Sequence, residues 1–472
     1  MPIRSAPTTT AGAIKTFRQA VAFLESLPNL ENSSRPRDVA NAFKLSRMVR
    51  LMGELGNPQK TLRVAHIAGT KGKGSTAAML AGMLRENDLR VGLYLSPHIL
   101  DIRERISVNG RMISEPEFTR LTTRVAGVIR RLKNERPTYF EALTAIGFLY
   151  FAQRAVDLAV LEVGLGGRLD ATNIIKPDVC GITSISLDHM HVLGKTLIAI
   201  TEEKAGIFKP GVPVISAPQD AEVKKTLRRV AAKVGCPLLV AGEDFEFSIR
   251  FESSRTTGPQ TRICVTTPNS HFEHLHVPMV GDHQAKNCAV ALGMLDQLRA
   301  RGFKIDEEKA TAGLARVSLP GRMEIIHHEP RVLVDGAHNA ESISAVMHAI
   351  GQNITADSTI VIFGCNADKD VDGMLTLLSQ GADKVIFTRS VHPKAVAPAE
   401  LAARFKELTG RQEQFAERLD GALLIANKAV SRDDLVCITG SFYLVADAKR
   451  HFAKQAAAAA KALPVKPADV LA

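Results

Sequence analysis

The amino-acid sequence predicts an α/β protein in which a larger first domain with a parallel sheet is followed by a smaller, Rossmann-like C-terminal domain. Three observations predict this fold class: short apolar runs alternate with amphipathic stretches, a glycine-rich turn joins an early strand to a helix, and the alternation restarts after a Pro-Gly break at 318–322. We expect an N-terminal leader and helix over 1–40, a central domain over 41–318 and a C-terminal domain over 319–472.

The first domain is expected to start its sheet with a buried strand at 61–69, which runs through the glycine-rich turn into an apolar-periodic helix at 75–87. Further strands are predicted at 90–96, 157–165, 179–186 and 212–216, and helices at 115–133, 140–154 and 283–302. Strand composition without an intervening helix over 245–267 predicts a small antiparallel patch.

The second domain shows the same alternation on a smaller scale. Its strands are predicted at 331–337, 358–365, 383–389 and 434–441, with helical patterns between them. The alanine-rich tail is predicted to extend the last helix until it frays at Pro464.

Composition restricts the classes of partner. The 472 residues carry 60 Lys and Arg against 49 Asp and Glu, a net charge of +11 that favours anionic partners, either nucleic acid or phosphorylated and carboxylated small molecules. Base-stacking side chains are scarce, because aromatic residues make up 5% and Trp is absent. No apolar run approaches a membrane-spanning length and the N-terminus lacks the apolar region of a signal peptide. Six cysteines without C-x-x-C spacing favour a reducing cytoplasm.

The sharpest motif is the octapeptide from Gly69 to Thr76, GTKGKGST, which lies between a predicted strand and a predicted helix. Glycines and a helix N-terminus let backbone N–H groups surround phosphate oxygens, and Lys73 adds a point charge. The spelling departs from the common phosphate-loop pattern, since Ile67 stands at its first glycine and Gly74 follows the lysine. A generic glycine-rich turn is the alternative interpretation; two lysines among the glycines favour phosphate.

Glu162 marks a second candidate site, at the end of an apolar strand in LEVGLGGRLDATN (161–173). Ligands and metals of α/β proteins lie at the carboxyl ends of strands, and carboxylate oxygens suit Mg²⁺. The alternative is a structural carboxylate that caps the loop.

Two histidine-containing segments are candidate metal sites. Taken alone, SLDHMH (186–191), after a predicted strand, is more often a hydrogen-bonded structural element than a ligand. The segment HFEHLH (271–276) lies far from the other motifs along the chain, and we interpret it as structural or surface.

An ordered series of motifs resembles the folylpolyglutamate synthase/dihydrofolate synthase family of the Mur ligase superfamily. In chain order, the series reads GTKGKGST, LYLSPH, TYFEALTA, LEVGLGGRLDATN, SLDHMHVLG, EEKAGIFKPG, LPGRMEII, VDGAHN and GSFYLVAD. The resemblance covers roughly residues 40 to 450. It implies a P-loop-type Mur ligase central domain, which binds ATP, and a Rossmann-like ligase domain after it. The family turn usually reads G-T-N-G-K-G, so Lys71 replaces an asparagine and adds positive charge.

The resemblance also implies roles for individual residues. The ATP-phosphate loop would comprise Gly69, Thr70, Gly72, Lys73, Gly74 and Ser75. Two magnesium sites would use Ser96, Glu162 and His189, a monovalent cation is a further implied cofactor, and Lys204 would be carbamylated. Lys73, Glu162, His189 and Lys204 are accordingly the expected catalytic residues. Nucleotide and glutamate contacts would come from Asn287, Arg322, Asp335, His338, Asn339 and Lys369.

The pterin side is implied by two further motifs. Its contacts would be Thr138, Tyr139, Phe140, Leu169, Asp170 and Ala171. The earlier pterin loop of the family is matched only loosely, by AFKLSRM at 42–48.

The implied activity is an ATP-dependent amide ligase that adds L-glutamate to folate, to dihydropteroate, or to both, through an acyl phosphate. The implied protein is a cytoplasmic monomer that binds neither nucleic acid nor membrane and closes its two domains about a hinge at 318–322. A peptidoglycan-precursor ligase of the same superfamily is the alternative enzyme, although TYFEALTA argues against it. A nucleic-acid-binding NTPase-like module is the non-enzymatic alternative, suggested by the basic charge.

Overall fold

A computed structural model describes residues 14–29, 44–132, 136–254, 258–267, 269–277 and 281–462. The chain divides into two compact units, Met1–Ser248 with Ile263–Leu275 and Lys286–Val317, and Ile249–Arg262 with His276–Ala285 and Ser318–Ala472. The main part of the second unit therefore begins at the Pro-Gly break, and two shorter segments come from the 249–285 region. Residues 1–13 of the predicted leader and the predicted fraying point, Pro464, lie outside the described residues.

The first unit is built on an eight-stranded sheet. Its strands are β1 (Val64–Ala68), β2 (Val91–Tyr94), β3 (Ile106–Val108), β4 (Arg111–Met112), β5 (Leu158–Glu162), β6 (Val179–Ile182), β7 (Val214–Ser216) and β8 (Leu238–Val240). Their order is β4-β3-β2-β5-β1-β6-β7-β8, and the pairs β2-β3 and β3-β4 are antiparallel while the others are parallel. The central strands β1, β5 and β6 are buried along their whole length, as is usual for strands of a parallel sheet, although β1 carries His66 at its centre and β5 ends at Glu162.

Among the described residues, ten helices up to residue 315 accompany this sheet. They are α1 (Phe17–Glu25), α2 (Leu45–Glu54), α3 (Lys73–Glu86), α4 (Glu115–Arg131), α5 (Tyr139–Gln153), α6 (Met190–Leu193), α7 (Leu197–Ala205), α8 (Ala221–Val234), α9 (Asp282–Ala300) and α10 (Glu307–Ala315). One apolar cluster packs α1, α2, α4 and α5 against strands β1, β2 and β5, and another packs α7 and α8 against β6 and β7. Because α5 is apolar on nearly all sides, it is a core helix with hardly any polar face.

A small three-stranded sheet follows β8. Its strands are β9 (Glu246–Ser254), β10 (Gly258–Thr266) and β11 (His271–His276), in the order β11-β10-β9. The first two correspond to the predicted patch. The third strand is the histidine-containing segment, in which His271 and Glu273 are exposed and form an ion pair at 2.9 Å. That placement agrees with the surface interpretation of the segment.

The second unit is built on a six-stranded sheet. Its strands are β12 (Glu324–His328), β13 (Arg331–Val334), β14 (Thr359–Phe363), β15 (Lys384–Phe387), β16 (Gln414–Phe415) and β17 (Leu435–Thr439). The order is β12-β13-β17-β14-β15-β16, and all neighbours are parallel except β12 and β13. The helices are α11 (Ala340–Asn353), α12 (Val371–Gly381), α13 (Pro398–Thr409), α14 (Leu419–Asn427) and α15 (Phe442–Ala462). The two parallel sheets confirm the predicted α/β class, and no described helix is long and apolar enough to span a membrane.

Candidate active site

The turn between β1 and α3 has the shape of a phosphate cradle. Gly69 and Gly72 have φ angles of 149° and 87°, which side-chain-bearing residues adopt rarely. A Cβ on Gly69 would collide with Thr183, and one on Gly72 would collide with the amide of Asn287. Helix α3 begins at Lys73 without a side-chain cap, so the N–H groups of its first turn point toward the cradle. The cradle thus depends on both glycines and on Asn287 of α9.

Lys73 lies folded over the cradle. Its Nζ donates to the backbone oxygens of Gly69, at 3.2 Å, and of Thr70, at 3.3 Å. The ammonium group is therefore held at the loop by two neutral carbonyl groups. An arriving phosphate would compete favourably for these hydrogen bonds, because a bond between two charged groups is the stronger one.

Lys204 reaches the same carbonyl from helix α7. Its Nζ donates to Gly69 O at 2.8 Å, and the residue is only 4% exposed. Burial, reinforced by the nearby charges of Lys73 and Lys71 and opposed by Asp188, lowers the pKa of Lys204 to about 7. A solvated Glu–Lys helix pair, which is the ordinary interpretation of this sequence context, is wrong for this residue.

Four contacts join the cradle to the loop that follows β6. Thr70 N donates to Ser184 O at 2.8 Å, and Thr70 Oγ1 both donates to Ser186 O and accepts from Ser186 N, each at 3.1 Å. Lys71 forms an ion pair with Asp188 at 2.9 Å. This ion pair is the charged member of the set, and it is made by the lysine that departs from the family spelling.

His189 lies next to this ion pair in sequence. Its backbone has a φ of 48°, and its N–H donates to Asp188 Oδ1 at 2.9 Å. The imidazole Nε2 lies 3.8 Å from the same carboxylate, and the side chain is 43% exposed. Asp188 therefore holds the main chain of His189 through a hydrogen bond and lies near its ring.

Glu162 ends strand β5 beside the first turn of α3. The residue is 5% exposed, and its Oε2 accepts the N–H of Ser96 at 2.8 Å. A Cβ added to Gly74 would lie 3.5 Å from Oε2, so the carboxylate faces the helix that carries Lys73. The alternative of a loop-capping carboxylate accounts for the bond to Ser96 but not for the position beside α3.

The two motifs expected to contact the pterin are held by internal networks. Thr138 caps α5, with Glu141 accepting its backbone N–H at 2.7 Å, and Arg47 of α2 pairs with Glu141 at 3.0 Å. Phe140 packs so closely on Gly164 that a Cβ there would collide with its ring. Asp170 is buried and accepts the N–H groups of Thr172, at 2.9 Å, and of Leu165, at 3.0 Å. Leu169 and Ala171, the neighbours of Asp170, are half-buried and buried.

The second unit holds its own set of polar groups after β13. The buried Asp335 accepts the N–H groups of Met323, at 2.9 Å, and of Ala337, at 2.8 Å, and burial raises the pKa of its carboxyl group against the opposing charge of Arg322. The Arg322 guanidinium lies 4.6 Å from the ring centre of Phe442. These contacts place Arg322 and Asp335 in one network at the carboxyl end of β13.

Two neighbouring residues follow in the same loop. The Nδ1 atom of His338 lies 2.8 Å from Gly336 O, and Asn339 caps α11. Lys369 lies in a separate loop, after β14, where its backbone N–H donates to Asn366 O at 3.3 Å.

Comparisons with known proteins identify the family. The Mur ligase middle domain matches residues 67–295, and the Mur ligase glutamate ligase domain matches residues 321–442. The dihydrofolate synthase/folylpolyglutamate synthase of Bacillus subtilis is 33% identical over 86% of this chain and 94% of its own length. The chain belongs to the folylpolyglutamate synthase/dihydrofolate synthase family.

Solved structures agree with this membership. Escherichia coli FolC in complex with DHPP and ADP superposes with a TM-score of 0.82 at 29% identity, covering 95% of this chain and all of that one. Mycobacterium tuberculosis folylpolyglutamate synthase complexed with ADP gives the same TM-score and identity over 92% of this chain and 98% of its own. The chain is thus an ATP-dependent ligase of this family, and Mur ligase names only the broader superfamily.

The edge that carries Glu162 fits a magnesium ion, as expected for such a ligase. A buried carboxylate beside a phosphate cradle is the donor that Mg²⁺ takes together with phosphate oxygens and water. Within the described ranges, no group of three or more His, Cys, Asp or Glu side chains could hold a metal by itself.

Three residues of this family member were missed by sequence reasoning. Arg47 forms an ion pair with Glu141 next to segment 138–140, and His66 contacts Thr172. Asp188 links Lys71 to His189. Each lies inside a predicted strand or a segment that carries a family motif. The overlooked signal was a polar side chain inside or just after an apolar run, which requires a buried partner.

Proposed function

We propose that this member of the family joins the amino group of L-glutamate to the carboxylate of a pterin-bearing acid, which is a folate, dihydropteroate or both. One observation carries the proposal: two lysines converge on the Gly69 carbonyl within a phosphate cradle, and a buried carboxylate faces the same helix turn. That arrangement combines anion binding with a cation site, which the activation of a carboxylic acid by ATP requires.

The first step forms an acyl phosphate. A carboxylate oxygen of the acid attacks the γ-phosphorus of ATP, the bond between that phosphorus and the bridging oxygen breaks, and ADP leaves. The first-turn N–H groups of α3 hold the phosphates, and Lys73 balances the charge that accumulates on the leaving oxygen. Glu162 would hold Mg²⁺, which supplies further charge neutralisation when bound.

The second step forms the amide. The neutral amine of glutamate attacks the acyl carbon, the tetrahedral intermediate expels phosphate, and the nitrogen loses one proton. We assign the handling of nucleotide and glutamate in the second unit to Arg322, Asp335, His338, Asn339 and Lys369. The buried network around Asp335 supports this assignment, since buried polar groups at strand ends are typical of ligand sites in α/β sheets.

Lys204 is proposed to act as a carbamate. Its neutral amine would attack CO₂, forming an N–C bond and releasing one proton, and the resulting anionic oxygens would join His189 at a second magnesium site. Burial supports the proposal, because a pKa of about 7 leaves a large fraction of the amine neutral at physiological pH. Two ammonium groups on one carbonyl are also mutually unfavourable, and carbamylation removes one of them.

The acid is assigned to the segments 138–140 and 169–171. Phe140, a half-buried aromatic residue, packs on the loop that leads to Asp170, which supports a shared subsite for a flat ring. The Escherichia coli relative, whose structure holds DHPP and ADP, supports the same class of ligand.

Ligation assays test the function. Purified protein with ATP, Mg²⁺ and L-glutamate is incubated in parallel with dihydropteroate and with tetrahydrofolate monoglutamate, and ADP and the amide product are measured. We expect ADP and amide to form in equal amounts with at least one acid. Failure of both acids would contradict the proposal. The same assay with and without K⁺ tests the implied monovalent cation.

A further inference from the structure

A histidine in the middle of strand β1 is joined to the proposed pterin-side loop. His66 is fully buried, with Leu161 of β5 and Cys180 of β6 as its strand neighbours. Its Nε2 atom lies 2.8 Å from the hydroxyl of Thr172. Its other ring nitrogen, Nδ1, is buried and has no hydrogen-bond partner. A buried imidazole satisfied on one side only requires an explanation.

The hydrogen bonds around Thr172 define the tautomer of this ring. The Thr172 hydroxyl donates its single proton to Asp170 Oδ1 at 2.5 Å. Burial raises the pKa of Asp170, but the donors that converge on its two oxygens favour the ionised form. With Asp170 ionised, the Thr172 proton is committed to it, His66 donates from Nε2, and Nδ1 is an unprotonated acceptor. Burial, with a smaller effect of Lys209, lowers the pKa of His66 to about 3, so the ring is neutral. This arrangement leaves an acceptor nitrogen without a partner and avoids an unpaired buried N–H group, which is rare in folded proteins.

The same hydrogen bonds shape the loop around Asp170. The carboxylate collects the N–H of Leu165 on Oδ2, and the N–H and hydroxyl of Thr172 on Oδ1. Backbone bonds from Asp170 N to Gly167 O, at 3.1 Å, and from Asn173 N to Asp170 O, at 2.9 Å, complete the turn. The turn is anchored to the sheet by a chain of hydrogen bonds that ends on the imidazole of His66.

We propose that His66 is a positioning residue for the pterin-bearing acid: through Thr172 it holds the Asp170 turn in the conformation that binds this substrate. The inference rests on the proposed function, because that function assigns Leu169, Asp170 and Ala171 to the acid. His66 is three residues before Gly69, so the strand that ends in the phosphate cradle also holds the acid-binding turn. Its loss should affect the acid and leave ADP binding unchanged.

A histidine that only fills space would behave differently. Substitution by an apolar residue of similar length would then change thermal stability alone, or would weaken both ligands equally. A positioning role instead requires the donor on Nε2 and the hydroxyl of Thr172, so its loss should be selective for the acid.

The test compares two pairs of variants by calorimetric titration with dihydropteroate, in the presence of a non-hydrolysable ATP analogue, and separately with ADP. His66→Met and Thr172→Val remove the hydrogen bond, whereas His66→Gln and Thr172→Ser retain a donor and a hydroxyl. We expect about tenfold weaker binding of dihydropteroate in the first pair, the ratio that loss of one buried hydrogen bond produces. The second pair should bind within about threefold of the wild type, and ADP affinity should be unchanged in all four.

Two outcomes overturn the inference. One is dihydropteroate affinity in His66→Met equal to that of His66→Gln; the other is an equal loss of ADP and dihydropteroate affinity. A wild-type protein that binds neither dihydropteroate nor tetrahydrofolate would instead refute the proposed function, and the inference with it.

A second measurement does not depend on variant folding. The ¹⁵N shifts of the wild-type His66 ring should show a protonated Nε2 and an unprotonated Nδ1. The signal is assigned as the one missing from His66→Gln. If that variant does not fold, it is assigned as the ring that stays neutral at the lowest pH. A protonated Nδ1 would overturn the inference.

Discussion

The helices α3 and α11 both follow a parallel strand, yet their N-termini are built in opposite ways. Helix α11 is capped by Asn339, whose side chain accepts the N–H of Ser342 at 2.9 Å, so the protein itself supplies a hydrogen-bond partner for the first turn. Helix α3 begins after Gly72, which has no side chain to offer. The N-terminus of α3, where glycine occupies the cap position, leaves its backbone N–H groups available to an anion, and we call it the open end. The N-terminus of α11, where asparagine accepts a backbone N–H group, is the closed end.

The surroundings differ in the same sense. At α3, the loop carbonyl of Gly69 receives two lysine ammonium groups, from Lys73 and Lys204. Near α11 lie the buried carboxyl group of Asp335, whose pKa burial raises, and the opposing charge of Arg322. One strand end gathers cations for phosphates, and the other keeps a carboxyl group bound by backbone N–H groups.

Removing a charged side chain near the N-terminus of α3 should cause the largest loss of turnover. Lys73→Ala and Glu162→Gln should each lower turnover about 10²- to 10³-fold, because each removes a preorganised electrostatic partner of the transferring phosphate. Steady-state ligation at saturating ATP and Mg²⁺ measures the loss. Lys309→Ala, which breaks a surface ion pair with Asp88, is the matched control and should keep wild-type turnover. Near wild-type turnover in either variant would remove the corresponding assignment.

Lys204→Ala should also be inactive, and a small carboxylic acid should partly restore it. The reason is that acetate or formate can supply the oxygen anion that the carbamate would provide. Turnover measured against acetate concentration, with Lys73→Ala as a variant that acetate should not restore, checks this expectation. Full activity of Lys204→Ala without any added acid would contradict the carbamate.

The sequence alone predicted the glycine-rich turn before α3, but not the side chains that pack around it. The cradle and Glu162 could be predicted because each follows directly from a strand end, a property of local sequence. The burial of Lys204 and the contact of Asn287 with Gly72 could not, since they depend on how α7 and α9 pack about a loop more than a hundred residues away. Strand β11 was interpreted only as a structural or surface segment, because its three histidines do not follow the alternation of apolar and polar residues that predicts a strand.

Breaking the ion pair between the cradle and the loop after β6 should have a smaller effect, on the KM for ATP. Lys71→Asn restores the usual family spelling and breaks the ion pair with Asp188. A half-buried ion pair of this kind contributes about 1 kcal/mol, so the KM for ATP should rise by at most about fivefold, the value reached when all of that energy holds the cradle in its ATP-binding conformation. Lys71→Arg should keep the pair and the wild-type KM. An unchanged KM in Lys71→Asn would show that the hydrogen bonds of Thr70 suffice.

Acid stability provides a comparison within the first unit. Burial lowers the pKa of His66 to about 3, against 6.5 for a free imidazole. Between these values the unfolded chain binds a proton that the folded chain does not, so stability falls as pH decreases from about 6.5 toward 3. Urea unfolding across this range should show a shallower pH dependence for His66→Gln than for the wild type. A pH dependence of His66→Gln parallel to that of the wild type would contradict the burial argument.

Removing the cap of α11 should have the smallest effect, a small loss of stability. Asn339→Ala removes the cap of α11 and should lower the free energy of unfolding by about 1 kcal/mol. Asn339→Ser retains a capping oxygen and should lie within a few tenths of the wild type. Urea unfolding of the wild type and of both variants measures these differences in the free energy of unfolding. Equal stability of the two would mean that the cap does not close this helix.

At the phosphate cradle, ATP is proposed to activate the acid as an acyl phosphate. The most direct test uses an acid labelled with ¹⁸O in the carboxylate, incubated with ATP, Mg²⁺ and L-glutamate. If the acid is phosphorylated, one labelled oxygen must appear in the released phosphate for each amide formed, and mass spectrometry of that phosphate should show it. Amide formation with unlabelled phosphate would contradict the account.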